Sequence, residues 1–218
     1  MKKRGPRRKR GEVKEEEVVA AATKLFREKG YHGTSMQDIG DIVGVPKGSL
    51  YQHIDSKEAL LFQIIGGSLE WTTSHVEAIG DSQAAPLDKL RKAIRHHINA
   101  TVTARDSVGV LLEDAKHLSG ARRRSVVRQQ ERYEAVIQRI LEEGIQAGQF
   151  RPCDVKTVSF AILGMCNWVY RWYDTQGRLS EEEIAQVFTD FILGGIGLYA
   201  PDASRTEPST IAAEDGRK

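Results

Sequence analysis

The chain has 218 residues, 40% of them apolar and 28% charged, with a formal net charge of +2. Those values argue against a membrane-spanning or low-complexity chain and fit a globular protein of one large domain or two small ones. Its two cysteines, Cys153 and Cys166, sit at no metal-ligand spacing and cannot frame a disulfide scaffold, so a reducing cytoplasm is the expected setting.

Residues 1–11 form a basic arm. The first ten carry seven Lys or Arg and no acid, so the rest of the chain is net acidic. A basic arm on a mildly acidic body suggests a polyanionic partner. No apolar run follows the arm, so no secretory leader is expected. The apolar periodicity of Val18, Ala22, Leu25 and Phe26 predicts a helix from Glu12 to Lys29, stopped by Gly30. Ser35 and Asp38 have the spacing of a capping box for a second helix, whose apolar face is Met36, Ile39, Ile42 and Val43. Gly44 stands where that helix needs a left-handed stop, and Pro46 where a third can start. The third helix is expected over Lys47 to Ile54, with Leu50 and Ile54 inward. Gly48 and Gln52 lie opposite, flanked by Ser49 and Tyr51. That outer face has no bulky apolar group and no acid before Asp55, which suits a DNA major groove.

Beyond this unit the chain reads as helices only. Ser56 caps a fourth, to about Ile79, with Gly66-Gly67 inside it as a close-packing point or a bend. Pro86 opens a fifth, carrying Leu90, Ile94 and Ile98. A short sixth is expected over Val108 to Leu118 and a long seventh over Ala121 to Ala147. An eighth follows from Asp154 to Asp174, and a ninth from Ser180 to Tyr199 starts with a second capping box, Ser180 to Glu183. The tail, 201–218, is polar and Pro-containing, with no helical pattern. Domains are therefore expected at 12–55, binding DNA, and 56–200, with an all-α fold of about nine helices.

The run from Gly44 to Leu60, GVPKGSLYQHIDSKEAL, resembles the recognition-helix signature of the TetR family of bacterial transcriptional repressors. Ala20-Ala21-Ala22, Leu25-Phe26, Gly30-Tyr31 and Thr34-Ser35 resemble the same family. The likeness is strong over about residues 15–65. It departs at Pro46, Gly40, Val43 and Ile54, where the family more often has Ser or Thr, Ala, Ala and Phe. The resemblance implies an N-terminal helix-turn-helix domain joined to a helical domain for ligand binding and dimerisation. It implies phosphate contacts for Tyr51, His53 and Lys57, and places Lys47, Gly48 and Ser49 nearest the bases. On their own chemistry Gln52 could meet an adenine edge or a phosphate, and Thr34 and Ser35 could hold a phosphate at a helix N-terminus.

The resemblance further implies that the last two helices pair with their symmetry mates in a homodimer. The expected interface residues are Phe160, Met165, Phe188, Phe191, Ile192 and Gly195. The stretch from Glu142 to Tyr173 is more loosely similar to the acyl-CoA-responsive branch of the family. Arg171, set among Trp168, Tyr170, Trp172 and Tyr173, is the expected anion contact, with Tyr133 and Trp168 and Trp172 as ligand-binding partners. The other reading of Arg171 is a pairing with a nearby acid. No cofactor is expected, and enzymatic readings find no support. The adjacent His96 and His97 point in different directions on a helix, and no nucleophile elbow or phosphate loop is present. The sequence thus predicts a cytoplasmic, homodimeric repressor. It would bind an inverted repeat of double-stranded DNA and be released by a small molecule, an acyl-CoA thioester fitting best. The alternative is a DNA-bound architectural or protein-recruiting factor with no effector.

Overall fold

The computed structural model describes residues 14–197. The basic arm and the polar tail lie outside them, as does the predicted start of the first helix. Among the described residues the secondary structure is helical apart from one isolated bridge between Phe150 and Gly197. The elements are α1 (Glu15–Gly33), α2 (Met36–Val43), α3 (Lys47–Leu50), α4 (Lys57–Gly80), α5 (Pro86–Thr103), α6 (Arg105–Asp114), α7 (Gly120–Gln146), α8 (Val155–Trp172) and α9 (Glu181–Ile196).

The caps set most of these bounds. Ser35 Oγ accepts from the Asp38 N–H, and Asp38 Oδ2 accepts in return from the Ser35 N–H at 2.7 Å. Ser180 and Glu183 form the same reciprocal pair at the start of α9. Gly44 ends α2 at φ 76°, a left-handed conformation that costs a β-carbon-bearing residue about 1 kcal/mol or more. Gly30 sits at φ 73° near the end of α1, so the regular helix halts there and a short turn carries the chain to Thr34.

Two differences from expectation have physical causes. The third helix is four residues long, with hydrogen-bonded turns over residues 51–53 in place of further α-helix. So short a segment cannot nucleate alone. Its one buried side chain is Leu50, fully enclosed in the N-terminal core, and that burial is worth about 1.5–3 kcal/mol. The sixth helix begins three residues early, at Arg105, and ends in a 3-10 turn, Ala115–His117.

Two apolar clusters divide the molecule. The first joins Val18, Leu25 and Phe26 of α1 with Ile39 and Leu50, and extends to Leu60, Leu61, Ile64, Ile65 and Leu69 of α4 and to Val110 and Leu118. The second unites Val76, Leu90, Ile94, Ile98, Ile137, Ile140, Phe150, Ile162, Val169 and Ile192. Helix α4 therefore has its first half in one core and its end in the other. Phe150 fills a space against Gly144, where any β-carbon would collide with its ring.

Candidate functional site

The exposed surface around α3 is the first candidate. Lys47, Gly48, Tyr51, Gln52 and His53 are all exposed, and Ser49 is half-buried. The Lys47 ammonium lies 5.7 Å from the centre of the Tyr51 ring. Together they present a cation, a phenol, an amide and an imidazole on one protruding corner. Gly48 has open space where a β-carbon would stand, so nothing in the protein blocks close approach there. Gly40 holds the turn behind it: a β-carbon there would sit 2.6 Å from the Val45 carbonyl oxygen. The departure from alanine at this position thus follows from a close backbone crossing between α2 and the α3 turn.

Three residues expected on phosphate are otherwise employed. Thr34 is buried, and its hydroxyl hydrogen-bonds to the Leu25 and Gly30 carbonyls at 3.1 and 3.0 Å. Lys57 donates to the Tyr31 and Thr34 carbonyls at 2.8 and 2.9 Å, with its ammonium 4.2 Å from the Tyr31 ring centre. Loss of solvent around it pulls its pKa below the ordinary lysine value. Lys57 is thus an internal tie between the end of α1 and the start of α4. Ser35 is exposed, yet its hydroxyl is engaged with Asp38 at 2.6 Å.

The second candidate is a cavity of about 440 Å³ in the C-terminal bundle. Helix α4 contributes Ser68, Leu69 and Thr72, α5 contributes His97, Ala100 and Thr101, and α6 contributes Val108, Leu111 and Leu112. Helices α7 and α8 complete it with Gln130, Tyr133, Glu134, Phe160, Leu163, Gly164 and Asn167. Its walls are mainly apolar, with polar groups gathered at a few points, and its size falls within the range of small-molecule sites. His97 contacts the Tyr133 hydroxyl at 2.9 Å through Nδ1 and the Asn167 side-chain oxygen at 3.0 Å through Nε2. Burial pushes its pKa down to about 4, so the ring is neutral near pH 7. Burial likewise pushes the Tyr133 hydroxyl up, and the Cys166 thiol up to about 12.

Of the four expected ligand residues, only Tyr133 lines this cavity. Arg171, Trp168 and Trp172 are exposed on the outer side of α8. Arg171 pairs with Glu113 at 3.3 Å, so the acid-pairing reading of that residue is the one the structure shows. Among the described residues no Lys or Arg lines the cavity. His97 and Asn167 were not anticipated as ligand residues. An amide in the otherwise apolar stretch from Phe160 to Val169 was the available signal.

The outer faces of α8 and α9 are the third candidate. Phe160 and Gly164, which also rim the cavity, recur with Trp168 and Trp172 every fourth residue on α8, all exposed, and Val187 and Phe191 continue an apolar stripe on α9. Phe191 is 71% exposed and Trp168 59%. Aromatic stripes this open make the surface a candidate for an interaction. Gly195 is exposed beside them, whereas Ile192 is buried in the chain's own core, with Met165 and Phe188 half-buried against it. Those last three therefore stabilise the subunit itself.

Residues 18–64 match the family model of bacterial regulatory proteins of the TetR family, and residues 83–196 match a tetracyclin repressor-like C-terminal domain. The chain is 32% identical over 185 residues to the HTH-type transcriptional repressor KstR2 of Mycolicibacterium smegmatis, covering 83% of this chain and 89% of that one. The structure of KstR2 of Mycobacterium tuberculosis superposes with a TM-score of 0.80 at 29% identity, covering 87% of this chain and 98% of that one. AibR, solved in complex with isovaleryl coenzyme A and operator DNA, gives a TM-score of 0.74 at 30% identity over 80% of this chain and 95% of its own. With an exposed α3 corner after a capped α2, a helical C-terminal bundle and both family models matched in order, the chain belongs to the TetR family of transcriptional regulators.

Proposed function

We propose that the chain is a ligand-relieved repressor acting as a cytoplasmic homodimer on an inverted-repeat operator, with an acyl-CoA thioester as its effector. The observation that carries this reading is the C-terminal cavity, walled on one side by α6, whose other side packs on the DNA-binding unit. An architectural factor would have no use for such a space. The similarity to AibR, whose complex holds isovaleryl coenzyme A, supports the thioester class. The aromatic stripes of α8 and α9 supply the self-complementary face that a two-fold dimer requires. The cavity holds no cation, so it suits the acyl group, with the coenzyme's phosphates on exposed arginines outside it. Arg123, exposed on α7 at helical spacing from Gln130 and Glu134, is our candidate for that contact.

The mechanism is a population shift. A ligand that favours the DNA-incompetent arrangement lowers operator affinity by its differential binding energy. The test is binding selection on random duplexes followed by a panel of branched, long-chain and aromatic acyl-CoAs. Selection should return inverted repeats with half-site centres about 10 bp or a multiple apart. An active thioester at about 100 times its dissociation constant should stabilise the protein by about 2.7 kcal/mol, a melting-temperature rise of about 5–11 °C, and release the duplex. Sites without a repeat would refute the dimeric operator. A panel giving neither thermal shift nor release would refute the thioester.

A further inference from the structure

We infer that His97, Tyr133 and Asn167 form an uncharged subsite that reads a carbonyl oxygen on the group held in the cavity. This rests on the cavity being the effector site. The three side chains come from three helices, α5, α7 and α8, and all line the same space. With the Asn167 oxygen 3.0 Å from Nε2, that nitrogen carries the imidazole proton and donates. Nδ1 is then the acceptor, and the Tyr133 hydroxyl donates to it at 2.9 Å. Each proton in the relay is thereby assigned, and one donor is left over: the Asn167 amide NH2 has no hydrogen-bond partner among the described residues.

Water reaches this donor in the open cavity, so a ligand that displaces that water loses free energy unless it brings an acceptor. The acceptor has to be neutral. The one ionic side chain in the lining is Glu134, an acid, and no cation offsets an incoming carboxylate or phosphate. The burial that keeps His97 unprotonated near pH 7 removes the remaining source of positive charge. A ketone on the acyl group and the thioester carbonyl share the required chemistry. A plain hydrocarbon group fits the space and leaves the donor unmet.

The experiment uses the full-length protein and three matched thioesters, cyclohexanecarbonyl-CoA and its ring-oxo derivatives at the 3 and 4 positions. Binding is measured by calorimetry on the wild type and on Asn167→Asp. That substitution keeps an oxygen for His97 Nε2 and removes the amide donor. Asn167→Leu, with its melting temperature recorded, gives a second removal of the donor without the added charge. If the ring ketone is read, an oxo-thioester should bind about tenfold tighter than the plain one, and both variants should abolish that preference. If the thioester carbonyl is read, all three ligands should bind wild type alike and all should weaken about tenfold in the variants. Equal binding that neither variant changes would overturn the subsite while leaving thioester-driven DNA release intact. The methyl esters of the same acids repeat the comparison without coenzyme. Should the thioesters not bind at all, equal and variant-insensitive behaviour of these esters would overturn the subsite independently.

Discussion

At the scale of single residues, internal hydrogen bonds decide which polar groups remain for partners. Lys57 looks like a phosphate contact in the sequence because it is a cation just past the recognition turn. Its ammonium instead donates to the Tyr31 and Thr34 carbonyls where α1 ends. Lys57→Met should therefore destabilise the fold by about 1–3 kcal/mol, read by urea denaturation, because two partly buried acceptors lose their donor. A variant with wild-type stability and weakened DNA binding would restore the phosphate role. His97 makes a prediction in pH. Its pKa falls from the ordinary 6.5 to about 4 on folding, so between those values the unfolded chain binds the extra proton. Stability is then fully present above about pH 6.5 and is lost as pH falls toward 4, by about 3 kcal/mol in all. The depressed carboxylates Asp38, Glu58 and Glu113 act in the same direction, but they titrate below the ordinary carboxylate pKa, lower in the scan. Burial pulls His96 and His117 below the ordinary histidine value as well, so they add to the same loss. His97→Gln should make the pH 4.5–6.5 part of the stability curve shallower and leave the lower part in place. A wild-type curve already flat over that interval would refute a neutral, buried His97.

At the scale of elements, what the sequence made legible is what is local. Both capping boxes, the Gly44 stop, the Pro86 start and the stripes of α1, α5 and α7 follow from spacings of four residues or fewer. The length of α3 was not legible, because the exposed residues after Leu50 close in local turns and only Ile54 is anchored in the core. Nor was the cavity, whose lining comes from five helices, or the partner of Arg171, which lies 58 residues away. Gly66-Gly67 is an intermediate case. Helix α4 runs through the pair unbroken, and added β-carbons would meet nothing within 4 Å, so close packing does not explain it. The pair lies just before Ser68, Leu69 and Thr72 of the cavity wall, with Leu69 belonging to the N-terminal core as well. Gly67→Ala should raise stability by up to about 1 kcal/mol through helix propensity. If α4 bends there between the DNA-bound and released arrangements, the same substitution should also reduce the ligand-driven loss of DNA affinity. An unchanged ligand response would leave the glycines with no part in switching.

At the scale of the whole molecule, α6 stands between the two functions. Val108, Leu111 and Leu112 face the cavity, while Gly109, Val110 and Glu113 face the N-terminal unit. Gly109 lies close under the Arg27 guanidinium of α1, so that an added β-carbon would push this side chain aside. Glu113 gathers three donors from two other helices: Arg27 Nη1 of α1 at 3.1 Å, and the Tyr170 hydroxyl and Arg171 Nη1 of α8 at 2.9 and 3.3 Å. Arg27 also lies over the Tyr170 ring, 5.3 Å from its centre. One carboxylate thus ties the first helix of the DNA-binding unit to the helix that bears the exposed aromatic stripe. A ligand that displaces α6 must strain or break these contacts, and its differential binding energy is what they transmit. Glu113→Ala removes the shared acceptor without touching the cavity lining or the α3 surface. DNA affinity of the unliganded protein should stay within a few-fold of wild type, and ligand affinity in the absence of DNA should change as little. The ratio of DNA dissociation constants with and without saturating ligand is the sensitive quantity. Coupling of 1–3 kcal/mol corresponds to ratios of about 5–150, and the variant should bring that ratio down several-fold. Fluorescence anisotropy on a selected operator, titrated with and without effector, measures all three. A ratio equal to wild type would show that the two ends communicate by another path, through α4 alone.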